Sequence, residues 1–501
     1  MTVINPNSIS GITSITLPSG DGNVLTIHTN DGTERFRIDS SGNVKVGSAC
    51  TISQDGDVFF TGVCTATTLA GSGANLTALP AANLTGALPA ISGANLTGIA
   101  ATDNVRTGIL EVAGIATFSS DVKIGAAVTI SESGIEASGI GITVANINGG
   151  AISGRRNMII NGAMQIAQRD TSFTADGNYT LDRWKVDDAM SAGAATITQS
   201  TTSPDGFSNS LKVDITSADT SVAAGEYSQV YQYIEAQNLQ QLAYGTSAAK
   251  TVTLSFYVRS NKTGNYNVGI LQDDASSRLV SLQYTINSAD TWERKSLTIP
   301  GDASGQINND NGIGYSLFWG LAYGTTYTSG SLQSSFSAYS SANFAAGQAV
   351  NLFDSTSNEW YITGVQLELG SQATPFEHRS YGEELTLCQR YYQIIAKGSD
   401  GTAGARSPLV SGQMWGTGAF YGVLPFKTKM RAIPSLDVVN GTDYWQVYNQ
   451  TTDTCDTLAY NNASPDAITL HLSGNLSGTA YIGAWSRTNN AAAFAAAKAE
   501  L

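Results

Sequence analysis

The clearest pattern in this chain is the alternation of apolar and polar residues over positions 156–378. At 251–259 every second residue from Val252 to Val258 is apolar, and at 313–323 one apolar and aromatic face continues along the whole run. A period of two places successive side chains on opposite faces of a strand, so these runs predict strands with one buried face. Many such runs, separated by turn residues, predict a two-sheet antiparallel sandwich, most simply a jelly roll.

The alternation slips by one residue near position 364. Trp360 and Ile362 share one face, and the apolar residues at 365–369 remain on that face only if the strand carries one extra residue. Gly364 stands at the slip, and a glycine there predicts a β-bulge that bends the strand while its apolar face stays inward. Pro375 cannot donate a backbone hydrogen bond to a neighbouring strand, so it predicts the end of this one.

Residues 379–501 predict a second, smaller β-domain. Leu385, Cys388 and Tyr392 recur at helical spacing, which predicts a short helix or turn ahead of the first strand. Later runs have β-type composition and partial alternation and therefore predict strands. The alanine-rich tract at 491–501 differs, because alanine favours helix, and it predicts a terminal helix.

Residues 1–155 consist of short β-branched runs interrupted by glycine. The segment RFRIDSSGNVKV at 35–46 predicts a hairpin, and the tetrapeptide ANLT recurs three times between 74 and 97 with uneven spacing. Strands this short and glycine-rich do not bury a core within one chain, so the region predicts a shaft in which three chains share an axis. A disordered glycine–serine linker is the alternative.

Composition and charge narrow the classes of function. Charged residues make up 13% of the 501 residues, and 52 residues are glycine, which suits β-structure with many turns. The net charge of −14 excludes nucleic acid as an expected partner, because binding a duplex requires a basic surface. The first ten residues do not resemble a secretory signal, and no apolar run is long enough to span a bilayer, so no membrane insertion is predicted.

No motif in the sequence predicts a catalytic step. The three histidines are dispersed, and the four cysteines form no metal-like cluster. Adjacent carboxylates occur at 187–188, 273–274 and 383–384, but neighbouring residues of a strand face opposite ways and do not converge on one substrate. The sequence therefore predicts that the protein is not an enzyme. A polysaccharide depolymerase, which would need convergent carboxylates, is the alternative.

Two oxygen-rich loops are the candidate metal sites. One contains Asp273 and Asp274, and the other contains Asn309 and Asp310. Calcium takes six to eight oxygen ligands, so either loop could bind Ca²⁺, although neither has the spacing of a dedicated calcium loop. An ordinary Asn/Asp turn is the simpler interpretation, and no other cofactor is predicted.

Aromatic residues beside Asp, Asn and Gln are typical of sugar-binding surfaces, because ring faces stack on pyranose CH groups while polar side chains hold the hydroxyls. The candidate glycan-binding residues of the C-terminal domain are Trp415, Asp443, Tyr444, Trp445 and Tyr448. Adjacent Tyr444 and Trp445 must face opposite ways if they lie in a strand. A core position is the alternative for each aromatic residue. Three further tryptophans are in phase with apolar faces of the sandwich and predict its core: Trp184, Trp319 and Trp360.

The run LELGSQATPFEHRSYGEELTLCQRYYQ resembles the junction between domains in tail-fibre and minor structural proteins of bacteriophages, especially marine ones. With the predicted bulge, the junction residues are Gly364, Pro375, Phe376, Glu377, His378 and Arg379. The runs KTVTLSFYVRSNKTGNYNVGI and NMIINGAMQIAQRDTSFT are similar to segments of carbohydrate-binding-module-like domains within phage fibres.

The resemblance implies a virion protein of three parts: an attachment region and shaft at 1–155, a jelly-roll carbohydrate-binding-like sandwich at 156–378, and a tip at 379–501. It implies a homotrimeric tail fibre, made in the host cytoplasm, that joins tail or baseplate proteins through its N-terminal region. The expected ligand is a host-surface polysaccharide such as lipopolysaccharide or capsule. A head or collar fibre without a receptor role and a secreted lectin are alternatives.

Overall fold

The protein is almost entirely β-structure, as the alternation predicts. The computed structural model describes residues 24–48, 50–68, 70, 122–124, 128–131, 134–137, 155–174, 177–274, 277–403 and 405–501. Contacts divide the chain into two compact units, Met1–Thr117 and Phe118–Leu501. The domain boundaries predicted at 155/156 and 378/379 stay predictions. No helix in the described part of the chain is long and apolar enough to cross a membrane.

The described part of the first unit contains a five-stranded antiparallel meander, ordered β1-β2-β3-β4-β5. Its strands are β1 (Leu25–His28), β2 (Glu34–Ile38), β3 (Val44–Val46), β4 (Cys50–Ile52) and β5 (Val58–Phe60). Phe36 lies opposite Val46, which confirms the predicted hairpin. Large apolar side chains of this sheet are exposed, among them Ile27, Phe59 and Phe60. The ANLT repeats lie outside the described residues.

The second unit contains a three-stranded antiparallel sheet of β6 (Val122–Ile124), β7 (Val128–Ser131) and β8 (Gly134–Ala137). It also contains the predicted sandwich, built from two six-stranded antiparallel sheets ordered β10-β13-β18-β15-β16-β19 and β17-β14-β20-β12-β11-β9. The strands are β9 (Ser172–Thr174), β10 (Lys185–Asp188), β11 (Ala194–Ser200), β12 (Ser210–Ser217), β13 (Tyr227–Glu235), β14 (Val252–Ser260), β15 (Gly264–Gln272), β16 (Arg278–Ile286), β17 (Glu293–Ile299), β18 (Ile313–Tyr323), β19 (Gln333–Ala338) and β20 (Glu359–Leu369).

Short helical segments lie between these strands. The helices of the sandwich are α1 (Thr325–Thr328) and the 3-10 turns Ala236–Leu242, Ser341–Asn343 and Leu352–Asp354.

One hydrophobic core fills the space between the two sheets. Trp184, Trp319 and Trp360 are buried within it, as predicted, and the rings of Trp184 and Trp319 lie 5.6 Å apart between centroids. The inward residues come from alternate positions of strands in both sheets, because a period of two turns every second side chain to the same face. Burial of these large rings supplies much of the hydrophobic stabilisation of the sandwich.

The predicted bulge is present in β20. Between the pairs Ser255–Gln366 and Tyr257–Thr363, β20 has one more residue than its partner β14. Gly364 lies at this point with φ of +62°, a left-handed conformation that glycine adopts without the penalty of a Cβ atom. The bulge keeps the apolar side chains on both sides of it in the core.

The prediction that Pro375 ends β20 is wrong. The strand ends at Leu369, where Gly370 leaves the extended region with φ of +116°. The chain then turns back, and Thr374 donates its backbone N–H to the carboxylate of Glu368 at 2.8 Å. The local turn therefore ends the strand before the proline is reached.

The terminal domain consists of a three-stranded sheet ordered β21-β30-β24 and a seven-stranded sheet ordered β26-β25-β29-β22-β23-β28-β27. It opens with the helix α2 (Tyr381–Gln389), which confirms the predicted helix, and includes the 3-10 turn Gly398–Asp400. Its strands are β21 (Tyr392–Lys397), β22 (Pro408–Met414), β23 (Phe420–Pro425), β24 (Ser435–Val439), β25 (Trp445–Asn449), β26 (Thr451–Cys455), β27 (Thr457–Ala463), β28 (Ala467–Ser473), β29 (Gly483–Thr488) and β30 (Phe494–Lys498).

The alanine-rich tract near residue 495 is a strand, so the helix predicted there is wrong. β30 is the central strand of its sheet and pairs with β21 on one side and β24 on the other. Ala495, Ala496 and Ala497 are fully buried in this position. Hydrogen bonding to two neighbours and close packing of small side chains override the intrinsic preference of alanine for helix.

The predicted junction residues tie the start of the sandwich to its end. The carboxylate of Glu377 accepts the backbone N–H groups of Arg156 and Asn157 at 3.1 and 2.8 Å. Arg379 donates to the carbonyl oxygen of Ile159 at 3.0 Å. The rings of Phe376 and His378 lie 5.0 and 5.2 Å from the ring of Phe207, between centroids. We call the hydrogen bonds between the segments 156–161 and 377–384 the clasp.

Two buried carboxylates form ion pairs that connect the sandwich with the terminal domain. Glu235, at the end of β13, accepts hydrogen bonds from Nε and Nη2 of Arg390 at 2.7 and 2.8 Å. Glu500 pairs with Arg183 and, at 2.6 Å, with Arg169. Burial alone would lower the pKa of Arg183, but the carboxylate of Glu500 and the neighbouring Tyr391, Tyr179 and Cys388 together raise it, so the pKa lies above its ordinary value.

Candidate functional site

Exposed aromatic rings are concentrated on one face of the seven-stranded sheet of the terminal domain. Tyr448 on β25 lies directly opposite Trp485 on β29. The two rings are stacked, with centroids 5.6 Å apart and planes inclined by 26°. The Tyr448 residue remains 43% exposed to solvent, and Trp485 remains 40% exposed. The guanidinium of Arg487 lies 5.1 Å from the ring centroid of Trp485. The pair thus forms a flat apolar surface with a hydrogen-bond donor beside it.

The register of the sheet places further aromatic rings on this face. Ser411 lies opposite Trp485, Gln413 lies opposite Tyr421, and Tyr421 lies opposite His471. Directly opposed residues share a face, so Tyr421 and His471 lie on the same side of the sheet as Trp485. The rings of Tyr421 and His471 are stacked at 4.6 Å. Burial lowers the pKa of His471, so its ring is neutral at neutral pH.

A second exposed pair lies where β22 and β29 meet their connecting loops. Trp415 is 62% exposed and Tyr481 is 73% exposed, and their ring centroids are 6.2 Å apart. Tyr481 donates its backbone N–H to the carbonyl oxygen of Met414 at 3.0 Å, which fixes the pair at this edge. Trp485 is four positions after Tyr481 in the sequence, so their Cα atoms are at most about 14 Å apart. We call the six rings of Trp415, Tyr421, Tyr448, His471, Tyr481 and Trp485 the aromatic face.

Only some of the predicted glycan-binding residues lie on the aromatic face. Trp415 and Tyr448 belong to the aromatic face. Asp443 is exposed in a turn with φ of +59°, and Tyr444 packs partly against the domain core. Trp445 is 0% exposed, and its indole N–H donates to the side chain of a neighbouring asparagine at 2.8 Å, so its assignment to a binding surface is wrong.

Four rings of the aromatic face are not among the residues predicted from the sequence: Tyr421, His471, Tyr481 and Trp485. Tyr481 and Trp485 stand two residues either side of Gly483, which is the spacing of one face of a strand. That periodicity was the available signal. Composition alone did not indicate which of the aromatic residues would remain exposed.

A second aromatic surface lies on the sandwich. It is a cleft of about 180 Å³ on the outer side of the sheet that contains β13 and β18, and it is lined by Tyr227, Gln229, Tyr323, Tyr327, Tyr339 and Phe344. The hydroxyl of Tyr323 donates to Gln229 at 2.6 Å, and that of Tyr227 donates to Asp187 at 3.1 Å. Burial, reinforced by Asp187, raises the pKa of Tyr227 to about 12, so this hydroxyl stays protonated at neutral pH.

The adjacent carboxylates do not converge. Asp187 accepts from a tyrosine hydroxyl, whereas Asp188 accepts a backbone N–H at 3.0 Å. Burial raises the pKa of Asp188 to about 6, with its acidic neighbours adding to the effect. Glu383 caps helix α2, and Glu384 pairs with Arg379 on the buried side. None of these adjacent pairs presents two carboxylates to one substrate.

Three of the four predicted calcium ligands form hydrogen bonds within the protein. Asp274 accepts from N and Nδ2 of Asn308 at 3.0 and 3.2 Å, and Asp310 accepts a backbone N–H at 2.8 Å. Asp273 accepts from two serine hydroxyls, and Asn309 is exposed. Among the described residues, no group of three or more His, Cys, Asp or Glu side chains is placed to hold a metal ion. Calcium binding stays a prediction.

No protein-family model matches the sequence, and no curated protein matches it. Solved structures do show similarity. One is the enzymatically active domain of tailspike protein 4 from bacteriophage CBA120, with 12% identity and a TM-score of 0.24 over 42% of this chain and 21% of that chain. This chain therefore matches about a fifth of the tailspike structure.

Two carbohydrate-binding modules are also similar. One is the family 11 module from Clostridium thermocellum in complex with a β-1,3-1,4-mixed-linked tetrasaccharide, with 10% identity and a TM-score of 0.21 over 42% of this chain and 98% of that chain. The other is TmCBM61 in complex with β-1,4-galactotriose, with 11% identity and a TM-score of 0.22 over 44% of this chain and 100% of that chain. TM-scores this low do not establish a common fold, so the side chains described above carry the functional proposal.

Proposed function

We propose that this chain binds glycans through the aromatic face of its terminal domain. The observation that carries the proposal is the exposed, stacked pair of Tyr448 and Trp485. Flat aromatic surfaces take up the CH faces of pyranose rings, and removing both apolar surfaces from water supplies the free energy. The guanidinium beside Trp485 provides donors for hydroxyl groups, which an apolar surface alone would not recognise.

The proposed setting is a virion appendage, a tail fibre that takes part in adsorption to the host surface. It is supported by the resemblance of residues 367–393 to the junctions of phage fibre proteins. The N-terminal region would join other tail or baseplate proteins. Binding by one aromatic face would be weak, and several faces on one fibre would raise the overall affinity by holding the second contact close to the first.

Replacing either ring of the stacked pair tests the binding site. We expect Trp485→Ala and Tyr448→Ala each to weaken retention of the full chain on immobilised bacterial lipopolysaccharides and capsular polysaccharides by about tenfold, since a central aromatic contact contributes more than 1 kcal/mol. Tyr460→Ala is the matched control, because Tyr460 is also 43% exposed but lies on β27, away from the stacked pair. Its retention should equal that of the unsubstituted chain.

Two outcomes would contradict the proposal. Equal weakening by Tyr460→Ala would show that exposed aromatic area in general, and not this face, retains the polysaccharide. Release of new reducing ends from the bound polysaccharide would identify a depolymerase, and the protein would then be an enzyme.

The proposed trimer is tested by light scattering of the full chain during size-exclusion chromatography. We expect a mass near three times the chain mass of 52.3 kDa, because the exposed side chains of β1–β5 need cover from neighbouring chains. A monomer at micromolar concentration would contradict the intertwined fibre.

A further inference from the structure

Two adjoining clefts lie where the terminal domain meets the sandwich. Their volumes are about 440 and 390 Å³. Tyr179 and Lys498 line both of them, together with Ser435, so the clefts share a wall. Neither cleft belongs to the aromatic face or to the tyrosine-lined cleft of the sandwich.

Positive charge is gathered in these clefts. They are lined by the basic side chains of Arg169, Lys185, Arg431 and Lys498. Three carboxylates face them: the side chains of Glu500 and Asp437, and the α-carboxylate of Leu501, which accepts the hydroxyl of Tyr179 at 2.9 Å. Such a group of basic side chains is unusual for a chain with a net charge of −14 and only 26 lysines and arginines among 501 residues. A positively charged site attracts anions that the rest of the negatively charged surface repels.

The carboxylates of the clefts are already engaged. Glu500 is 4% exposed and is held by Arg183 and Arg169. Asp437 accepts the hydroxyl of Tyr392 at 2.8 Å. Arg431 is likewise satisfied, because its three donor nitrogens reach backbone carbonyl oxygens at 2.7–2.9 Å.

The two lysines are not satisfied in this way. Lys185 lies 5.1 Å from the ring centroid of Tyr231, and neither its ammonium nor that of Lys498 pairs with a carboxylate within the described residues. Each ammonium therefore keeps donors and a charge that are available to a ligand.

Arg169 provides an independent observation. Its Nη1 is buried and has no hydrogen-bond partner among the described residues, although the guanidinium is fixed 3.8 Å from the ring centroid of Tyr392. A buried donor without an acceptor is costly. The side chain of Arg169 is 11% exposed, and a shift of its guanidinium toward the second cleft would bring Nη1 to a ligand oxygen there and remove that cost. Arg169 lines the second cleft, next to Lys498.

We propose that the two clefts bind the oxyanion group of a charged saccharide, a carboxylate, sulfate or phosphate. Lys185 and Lys498 neutralise its charge, and Arg169 donates a hydrogen bond to it. Charge-assisted hydrogen bonds of this kind are about twice as strong as neutral ones. The saccharide part rests on the proposed function, whereas oxyanion binding follows from the clefts alone.

The first test measures oxyanion binding by the full chain at constant ionic strength, with inorganic phosphate as the probe and chloride as the balancing ion. We expect phosphate to bind in calorimetric titration and the double variant Lys185→Gln, Lys498→Gln to weaken it at least fivefold. Lys429→Gln is the matched control, since that lysine is 66% exposed in an ion pair elsewhere on the terminal domain. Equal affinity in the double variant and the unsubstituted chain would overturn the proposal.

The second test separates the saccharide from the free anion. Trigalacturonate should bind at least tenfold more tightly than inorganic phosphate, and the neutral trimer of galactose should not compete with phosphate. Equal affinity of trigalacturonate and phosphate would overturn the saccharide part. Trp485→Ala should leave phosphate binding unchanged. The proposal for the aromatic face and the proposal for the clefts can therefore be contradicted independently.

Discussion

Glu500→Ala is expected to lower the free energy of unfolding by about 3–5 kcal/mol, because it leaves the guanidinium of Arg183 buried without its carboxylate. Arg183 is 1% exposed and Glu500 is 4% exposed. The remaining partners of Arg183 do not neutralise it. They are the carbonyl oxygen of Tyr233, at 2.8 Å, and the ring of Tyr391, whose centroid is 3.6 Å away. An unpaired charge in this position has lost its hydration and gains no equivalent attraction.

The measurement is urea unfolding of the full chain followed by tryptophan fluorescence, with the midpoint and the slope reported separately. Asp466→Ala is the control, since Asp466 and Lys429 form an ion pair in which both side chains are 66% exposed. That substitution should change stability by no more than about 1 kcal/mol. Equal effects of the two substitutions would contradict the role of burial.

Gly364→Val is expected to cost about 2–5 kcal/mol. A left-handed conformation costs an L-residue roughly 1–2 kcal/mol, and crowding of a packed core adds about 1–3 kcal/mol. A Cβ atom at position 364 would lie 2.7 Å from Cζ of Phe207 and 2.9 Å from Cδ2 of Tyr257. The two rings contact each other, and Phe207 also packs against Phe376, so a Cβ atom at position 364 would displace an aromatic cluster.

The same urea experiment checks this prediction, with Gly483→Val as the control. Gly483 also lies in a strand, but a Cβ atom there meets nothing within 4 Å. We expect the control to change stability by less than about 1 kcal/mol, since valine suits a strand with open space beside it. Comparable losses at the two positions would show that the bulge does not require glycine.

The features that the sequence predicted correctly share a physical basis. Trp319 and Trp360 were assigned to the core because a strand side chain has only two possible faces, and the apolar neighbours identify the inner one. Gly364 was located by the same rule, as the residue where the alternation slips. Local periodicity carries this information, and it needs no knowledge of which strands pair.

The errors arise where the outcome depends on distant residues. Ala496 is in a strand because β21 and β24 flank it, and neither neighbour can be identified from the alanine tract. Trp415 and Trp445 look alike in composition, yet one is exposed and one is core. The clefts gather residues as far apart as Arg169 and Lys498, and no local pattern connects them.

The clasp would have a mechanical consequence if the chain were pulled from its two ends. The chain enters the sandwich at 156–161 and leaves it at 377–384, and the clasp joins these two segments side by side. A pull between the region before residue 155 and the terminal domain is therefore transmitted through the clasp. The twelve strands of the sandwich do not carry this force, so they stay folded until the hydrogen bonds of the clasp break.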